Sequence, residues 1–291
     1  MNPTVDRIAR WLFFLAGILT SVVLLGIFGM LLINGLQAFG EIAPLSFFGG
    51  TEWNPTGYNE KSFGIMPMMV STFLVTLGAM VLAVPLGVGA AAYLSEFASR
   101  RVREILKPTV EMLAGIPSVA IGFLGITLVG PALARTFGLN NGLNALNGAI
   151  LLAVMALPTI ISVSEDAIRA IPSYYKEAGL AMGANKWVVL ATVTLPASYS
   201  GIIAAVILGI GRALGETMTV LMATGNAPAM TFNFFESVRT MTATIAIELG
   251  EVPNGSAHYH SLFAIGAVLF LISLIINLLA ERLAARFRYN I

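Results

Sequence analysis

Long stretches without a formal charge constrain this chain more than any other feature. Trp11 to Ile33 carries no Asp, Glu, Lys or Arg, and neither does Ser62 to Ser95. A helix rising ~1.5 Å per residue needs ~20 apolar residues to cross a ~30 Å hydrocarbon core, and both runs are long enough. The first follows Arg7 and Arg10 as a secretory signal would, but it exceeds the ~7 to 15 residues of a signal core. It is therefore predicted to be the first membrane helix. The second, apolar from Ile65 to Leu94, must tilt, kink or protrude, and Pro85 with Gly87 and Gly89 offers a kink near its far end.

Four more apolar segments follow: Met112 to Leu128, Ala149 to Val163, Ser200 to Ala223 and Ser261 to Ala280. The expectation is an all-α integral membrane protein of about six transmembrane helices, with residues 1–291 forming one domain. Composition agrees, because 57% hydrophobic against 11% charged residues leaves too little polar surface to cover a water-soluble globule.

Basic residues set the predicted orientation. All sixteen except Lys61, Arg135, Arg239 and the intramembrane Arg212 fall at the termini or in the loops 95–111 and 164–199. Basic residues are retained on the cytoplasmic side, so both termini and those two loops are predicted to be cytoplasmic. The loops 34–64, 130–148 and 224–260 then face outward. The first reads as an ordered surface loop, either an interfacial cap with Trp53 as a headgroup anchor or a surface on which an external protein docks.

Several functions are excluded. A net charge of +1 without a clustered basic face argues against a nucleic-acid partner. No cysteine is present, and His258 and His260 lack neighbouring ligands, so no metal site is expected. A membrane-embedded enzyme would need catalytic groups clustered at one depth.

The ionisable groups expected at depth are Arg212 and Glu216. With segment five entering at Ser200, Arg212 lies ~18 Å along the helix, near the middle of the bilayer. Such residues cost ~2.5 to 3.5 kcal/mol each at a helix centre, so their presence calls for compensation. Their spacing of four places both on one helical face, where they are expected to pair. The pair either fixes helix packing only, or Arg212 meets two oxygens of a passing anion while Glu216 keeps the anion from staying. Thr217, and Ser118 next to the helix-interrupting Pro117, complete the predicted pathway set. Gly209, Gly211 and Gly215 on segment five, with Gly115 and Gly122 on segment three, are expected to admit a close neighbour or a bend. Glu111 is expected to be a solvated carboxylate at a helix start.

The loop 164–199 is long for a helix connection. Tyr174 to Val193 sets Leu180, Met182, Trp187, Val188 and Leu190 among Lys176, Glu177 and Lys186. That pattern predicts two short helical pieces joined at Gly183, with apolar side chains offered to a partner groove. Glu177, Ala178 and Gly179, then Gly183, Val193, Leu195 and Pro196, resemble the Glu-Ala-Ala loop of ABC importer permeases, with Gly179 and Val193 departing from its Ala and Ile. The resemblance implies a type I ABC importer permease fold and makes this loop the element that sits in a cleft of a cytoplasmic ATPase. The chain has no G-x-x-x-x-G-K-[ST] loop, so ATP and Mg would be bound by that partner, and no cofactor is expected in this chain.

The resemblance narrows with Gly50 to Pro55, Phe63, Gly64 and Pro67, Leu94 to Phe97, Gly115 to Gly122 and Gly211 to Met218. These look like the phosphate-specific permeases of the PstC type; the sister permease tends to lack the Met at 218 and the Trp-containing outer loop. The implied partners are a second homologous permease, an ATP-binding subunit dimer, an extracytoplasmic phosphate-binding protein and membrane lipid. The implied location is the bacterial inner membrane. A permease for another oxyanion or small solute remains open, as does a stand-alone ion-coupled carrier, which would usually carry internal repeats and more spans.

Overall fold

The computed structural model describes residues 3–58 and 60–286. Arg288, expected among the cytoplasmic basic residues, lies outside them. Helix α1 (Pro3–Gln37) opens the chain, followed by a short outer helix α2 (Pro44–Gly49). A two-stranded antiparallel ribbon, β1 (Trp53–Asn54) and β2 (Ser62–Phe63), pairs Trp53 with Phe63. The long helix α3 (Met66–Ala92) then passes through Pro85 into a π-helical turn at Tyr93–Phe97. It stays one continuous span through Pro85, and Gly87 serves its packing on α7.

Two helices replace the predicted segment three. Helix α4 (Arg100–Leu113) starts on a cap in which Ser99 accepts from the Val102 amide. Its chain leaves helical geometry at Pro117, whose ψ of 134° directs the backbone into α5 (Ser118–Leu124). A π turn, Gly125–Val129, leads on to α6 (Gly130–Phe137), which Gly138 closes at a φ of 65°. The span is therefore Ser118–Phe137 rather than Met112 to Leu128. Next, α7 (Ala145–Arg169) begins on an Asn144 cap and absorbs both flanks of the predicted segment four. The predicted outer loop 130–148 thus contains α6 and the start of α7, and the connection predicted to be cytoplasmic opens only after Arg169.

That connection holds α8 (Ser173–Ala181), α9 (Lys186–Val189), a π turn at Leu190–Thr194 and α10 (Leu195–Ala197). After a 71° bend comes α11 (Tyr199–Gly215), then the short α12 (Met218–Ala223), α13 (Met241–Glu248) and the closing helix α14 (Ala257–Arg286). Helix α13 and the first turn of α14 lie inside the predicted outer loop 224–260. Among the described residues, five helices are long and apolar enough to cross a bilayer, and the bent pair ending in α11 makes up to six.

The core is built from small side chains. Val75, Ala79 and Ala83 of α3 meet Ala149, Leu152, Ala156 and Ile160 of α7, with Ala213 of α11. In lipid, where apolar burial gives little drive, close backbone approach supplies the packing energy. Ile160 shows how: a Cβ on Gly87 would stand 2.6 Å from its Cγ2, and one on Gly209 would stand 2.8 Å from its Cγ1. Two glycines thus let α3 and α11 close on one isoleucine. Helix α1 stands apart from this core and packs along α14, with Phe28 stacked on Phe270 at 4.6 Å and Gly35 against the Ala264 backbone.

Trp53 is only 4% exposed. Its indole N–H donates to the Glu248 carboxylate at 3.1 Å, and that carboxylate also receives Arg239 and His258, each at 2.8 Å. Trp53 is therefore not a headgroup anchor; it ties the β1–β2 ribbon to α13 and α14.

Candidate functional site: two helix breaks at mid-membrane

The predicted segment five, Ser200 to Ala223, is not one helix. It ends at Gly215, and Glu216 takes an extended conformation with ψ 131° before α12 starts. Helix α13 pins this break: Thr242 Oγ1 donates to the Glu216 carbonyl at 2.9 Å and shares a hydrogen bond with Thr240 Oγ1 at 3.0 Å. The Glu216 carboxylate turns forward and accepts from the Thr219 amide at 3.2 Å and the Thr219 hydroxyl at 3.3 Å. In effect Glu216 caps α12, where the exposed amides at a helix start favour a carboxylate.

The expected Arg212–Glu216 pair is therefore corrected. A spacing of four places two side chains together only while the helix continues, and here it stops between them. Arg212 Nη2 instead donates to the Ala114 carbonyl at 3.4 Å, in the other interrupted stretch, between α4 and α5. Thr217 Oγ1 donates back to the Gly215 carbonyl at 3.3 Å. Ser118 joins through its backbone: its carbonyl lies 3.2 Å from Thr219 Oγ1 and competes with the Glu216 carboxylate and Met155 Sδ for the one hydroxyl hydrogen.

All four predicted pathway residues thus gather where the two breaks face each other. Helices α5 and α12 run side by side in the same direction: Ser118 meets Thr219, and four residues on, a Cβ at Gly122 would come within 2.9 Å of Met222 Sδ. Gly122 and Gly209 admit close neighbours as expected, whereas Gly211 and Gly215 face open space. Depth follows from Thr219, whose hydroxyl also reaches Met155 Sδ at 3.0 Å, near the middle of α7. Interrupted helices are tolerated at such depth where their freed backbone groups are buried in protein or line a cavity.

A second constellation, which the sequence reading missed, lies toward the C-terminal end of α7. Glu165 has a side chain 1% exposed and accepts Lys107 Nζ at 2.5 Å, with Arg169 at 3.4 Å and Arg103 at 3.5 Å. Lys107 also holds Asp166 at 2.9 Å. The Glu165 hydrogen bond raises the Lys107 pKa, against the opposing effect of burial. Arg103 in addition donates to the Leu94 and Ser95 carbonyls, closing the end of the α3 helix. Two adjacent carboxylates ending an apolar run, with Arg103 and Lys107 one turn apart in the preceding basic loop, were the available signal.

The segment resembling the Glu-Ala-Ala loop forms two short helices joined at Gly183, which adopts a φ of 86°. Glu177 and Ala178 are exposed, as is Pro196, while Leu195 is half-buried. Gly179, the departure from the family's Ala, sits where a Cβ would approach Val189 Cγ2 to 3.0 Å, so the glycine lets α8 close on α9. Met182 is 88% and Trp187 67% exposed. The segment is fastened to α3 by Lys176 on Glu96 at 2.6 Å and by Trp187 stacked on Phe97 at 4.2 Å. Among the described residues no group of His, Cys, Asp and Glu could hold a metal.

Multiple apolar spans, paired mid-membrane breaks and an exposed coupling-type segment together define a membrane transport permease. Residues 83–289 match the family model described as the binding-protein-dependent transport system inner membrane component, and the chain belongs to that family. It is the multi-pass inner-membrane component of an ABC transporter, and the ATPase is a separate subunit. The stand-alone carrier alternative falls with this assignment.

The chain is 35% identical to the "Probable ABC transporter permease protein YqgH" of Bacillus subtilis (strain 168), over 87% of this chain and 82% of that one. It is 34% identical to the phosphate transport system permease protein PstC of Mesorhizobium japonicum, over 93% of this chain and 87% of the relative. The fold resembles that of a bacterial alginate ABC transporter crystallised with an alginate-bound periplasmic protein, with a TM-score of 0.64 at 17% identity and 99% of both chains covered. It also resembles the inward-facing methionine transporter MetNI, with a TM-score of 0.58 at 18% identity, covering 77% of this chain and 94% of that one.

Proposed function

We propose that this chain conducts inorganic phosphate into the cytoplasm as one permease subunit of an ATP-driven importer. The observation that carries the reading is Arg212, a guanidinium at mid-membrane depth whose only hydrogen bond among the described residues is a long one, to Ala114 in the opposite break. A fork of N–H donors held so weakly can transfer to two oxygens of an arriving oxyanion and return when it leaves. Glu216, engaged with Thr219, keeps a negative charge nearby so that the anion is not retained. The PstC relatives favour phosphate among the oxyanions.

In this reading α8, Gly183 and α9 seat in the cytoplasmic ATPase dimer, which binds ATP and Mg. Glu177, Ala178, Gly179, Gly183, Leu195 and Pro196 form that contact. Motion passes to α3 through Phe97 and Glu96, and to α11 through the π turn and α10. A second homologous permease completes the route, and both termini are cytoplasmic. A phosphate-binding protein delivers to the outer face, where an open groove of about 870 Å³ is lined by Glu41, Glu52, Lys61 and Phe63. The test is phosphate uptake by the assembled importer carrying Arg212→Gln. Loss of a charged hydrogen-bond donor, worth ~1.5 to 3 kcal/mol, should slow uptake about tenfold or more. Unchanged uptake in a complex that still assembles would refute the role.

A further inference from the structure

Helix α12 has only six residues, and a helix of that length is not stable by itself. Its place at the two breaks is set by what holds its ends. At the start, Glu216 stands in extended conformation and its carbonyl accepts from Thr242 Oγ1 at 2.9 Å. At the far end, the Thr224 carbonyl accepts from the Val238 amide at 3.0 Å. Asn226 follows at a φ of 58°, a conformation that Asn tolerates better than most residues. Its side-chain amide donates back to the Leu221 carbonyl at 2.6 Å, and its own carbonyl accepts from Arg239 Nε at 2.8 Å.

Both holds lead to one carboxylate. Arg239 donates through Nη1 to Glu248 at 2.8 Å, so the hold on Asn226 ends there. Thr242 and Glu248 belong to the same helix, α13, and stand ~9 Å apart along it. The first turn of α13 is fixed to α3, where Thr72 Oγ1 accepts from the Met241 amide at 3.1 Å. Its last turn is fixed through Glu248, whose other partners are Trp53 of the ribbon and His258 in the first turn of α14. The side chains of Glu248, Arg239 and His258 are at most 17% exposed, so water competes little for these bonds.

We infer that Glu248 is a positioning residue for the transport site. From the end of α13 it holds both ends of α12, through Thr242 and through Arg239, and so sets where Glu216 and Thr219 stand opposite Ala114 and Ser118. The inference rests on the proposed route only for what passes between the breaks.

The chain has no cysteine, so the seat of α12 can be read by a single introduced pair. A Cβ at Gly122 of α5 would stand 3.0 Å from Met222 Cβ, a small shift from the ~3.5 to 4.5 Å that a disulfide takes. Gly122→Cys with Met222→Cys is placed in the assembled importer, a membrane-permeable oxidant is added, and disulfide closure is followed by the mass of this chain after free thiols are blocked. Adding Glu248→Ala should slow closure at least about fivefold, and Glu248→Gln, which keeps one acceptor oxygen, should fall between. Arg239→Gln releases one of the two holds and should also slow closure, which covers the case in which Glu248→Ala fails to assemble. Glu111 supplies the control: contrary to expectation it lies in the last turn of α4 rather than at a helix start, exposed and without an ion-pair or hydrogen-bond partner among the described residues. Glu111→Gln should leave closure unchanged. Without the added cysteines, Glu248→Ala should lower phosphate uptake about fivefold or more. Closure at the parent rate in Glu248→Ala or Arg239→Gln would overturn the inference whatever uptake does, as would a parent pair that does not close. Slowed closure with unchanged phosphate uptake, or in a complex that imports another solute, would leave the hold on α12 standing and remove the proposed route or its substrate.

Discussion

Replacing Glu165 by Gln tests whether its buried carboxylate holds α4 to the C-terminal end of α7. Glu165 receives Lys107 at 2.5 Å, with Arg103 and Arg169 within 3.5 Å, in a site that excludes water from its own side chain. Removing one partner of a buried ion pair costs ~3 to 5 kcal/mol, because the opposite charges lose their compensation. Here the basic groups keep some solvent and Lys107 keeps Asp166, which places the expectation near the lower end, about 3 kcal/mol. Asp166 provides the internal control, being 69% exposed; Asp166→Asn should cost less than about 1 kcal/mol. The assay is melting of the assembled complex in detergent, followed by the emission of this chain's three tryptophans. Equal losses for Glu165→Gln and Asp166→Asn would refute the claim that burial makes Glu165 the keystone. The pH dependence has a definite sign. The folded pKa of Lys107 is raised above 10.5, so its contribution is complete below that pH and disappears only as pH rises further.

Other perturbations address different elements. Gly183→Val places a β-branched residue at a φ of 86°, where L residues lose ~1 to 2 kcal/mol; with open space around it, the loss should appear as uncoupled ATP hydrolysis rather than failed assembly. Gly209→Val drives a methyl group into Ile160, and overpacking of ~1 to 3 kcal/mol should lower the melting temperature of the complex, with Gly211→Val as the neutral comparison. Trp53→Phe keeps an aromatic ring but removes the indole N–H shared by Glu248 along with part of the ring system; a cost of ~1 to 3 kcal/mol should show as faster proteolysis of the β1–β2 ribbon. Thr242→Val keeps the shape of the side chain while freeing the Glu216 carbonyl, and should reduce uptake without altering ATPase binding.

Uncharged runs made the membrane class and most spans legible, because a bilayer imposes length and polarity on every crossing segment. The two helices around Gly183 were equally legible, since the glycine and the flanking amphipathic pieces are local signals. The breaks were not. Ser200 to Ala223 reads as one apolar helix, and what interrupts it is Thr242, 26 residues downstream, binding the Glu216 carbonyl. Trp53 was misread for the same reason: its partner Glu248 lies 195 residues away. Arg212 and Glu216 could be singled out from their polarity at depth, yet their partners could not, because spacing rules hold only within an unbroken helix.

The most direct test of the account is ATP hydrolysis by the purified, lipid-embedded complex with its binding protein, measured with phosphate and with other oxyanions or small solutes. Phosphate should stimulate hydrolysis above every other solute, and Arg212→Gln should block the accompanying uptake. Stimulation by another solute while phosphate has no effect would contradict it.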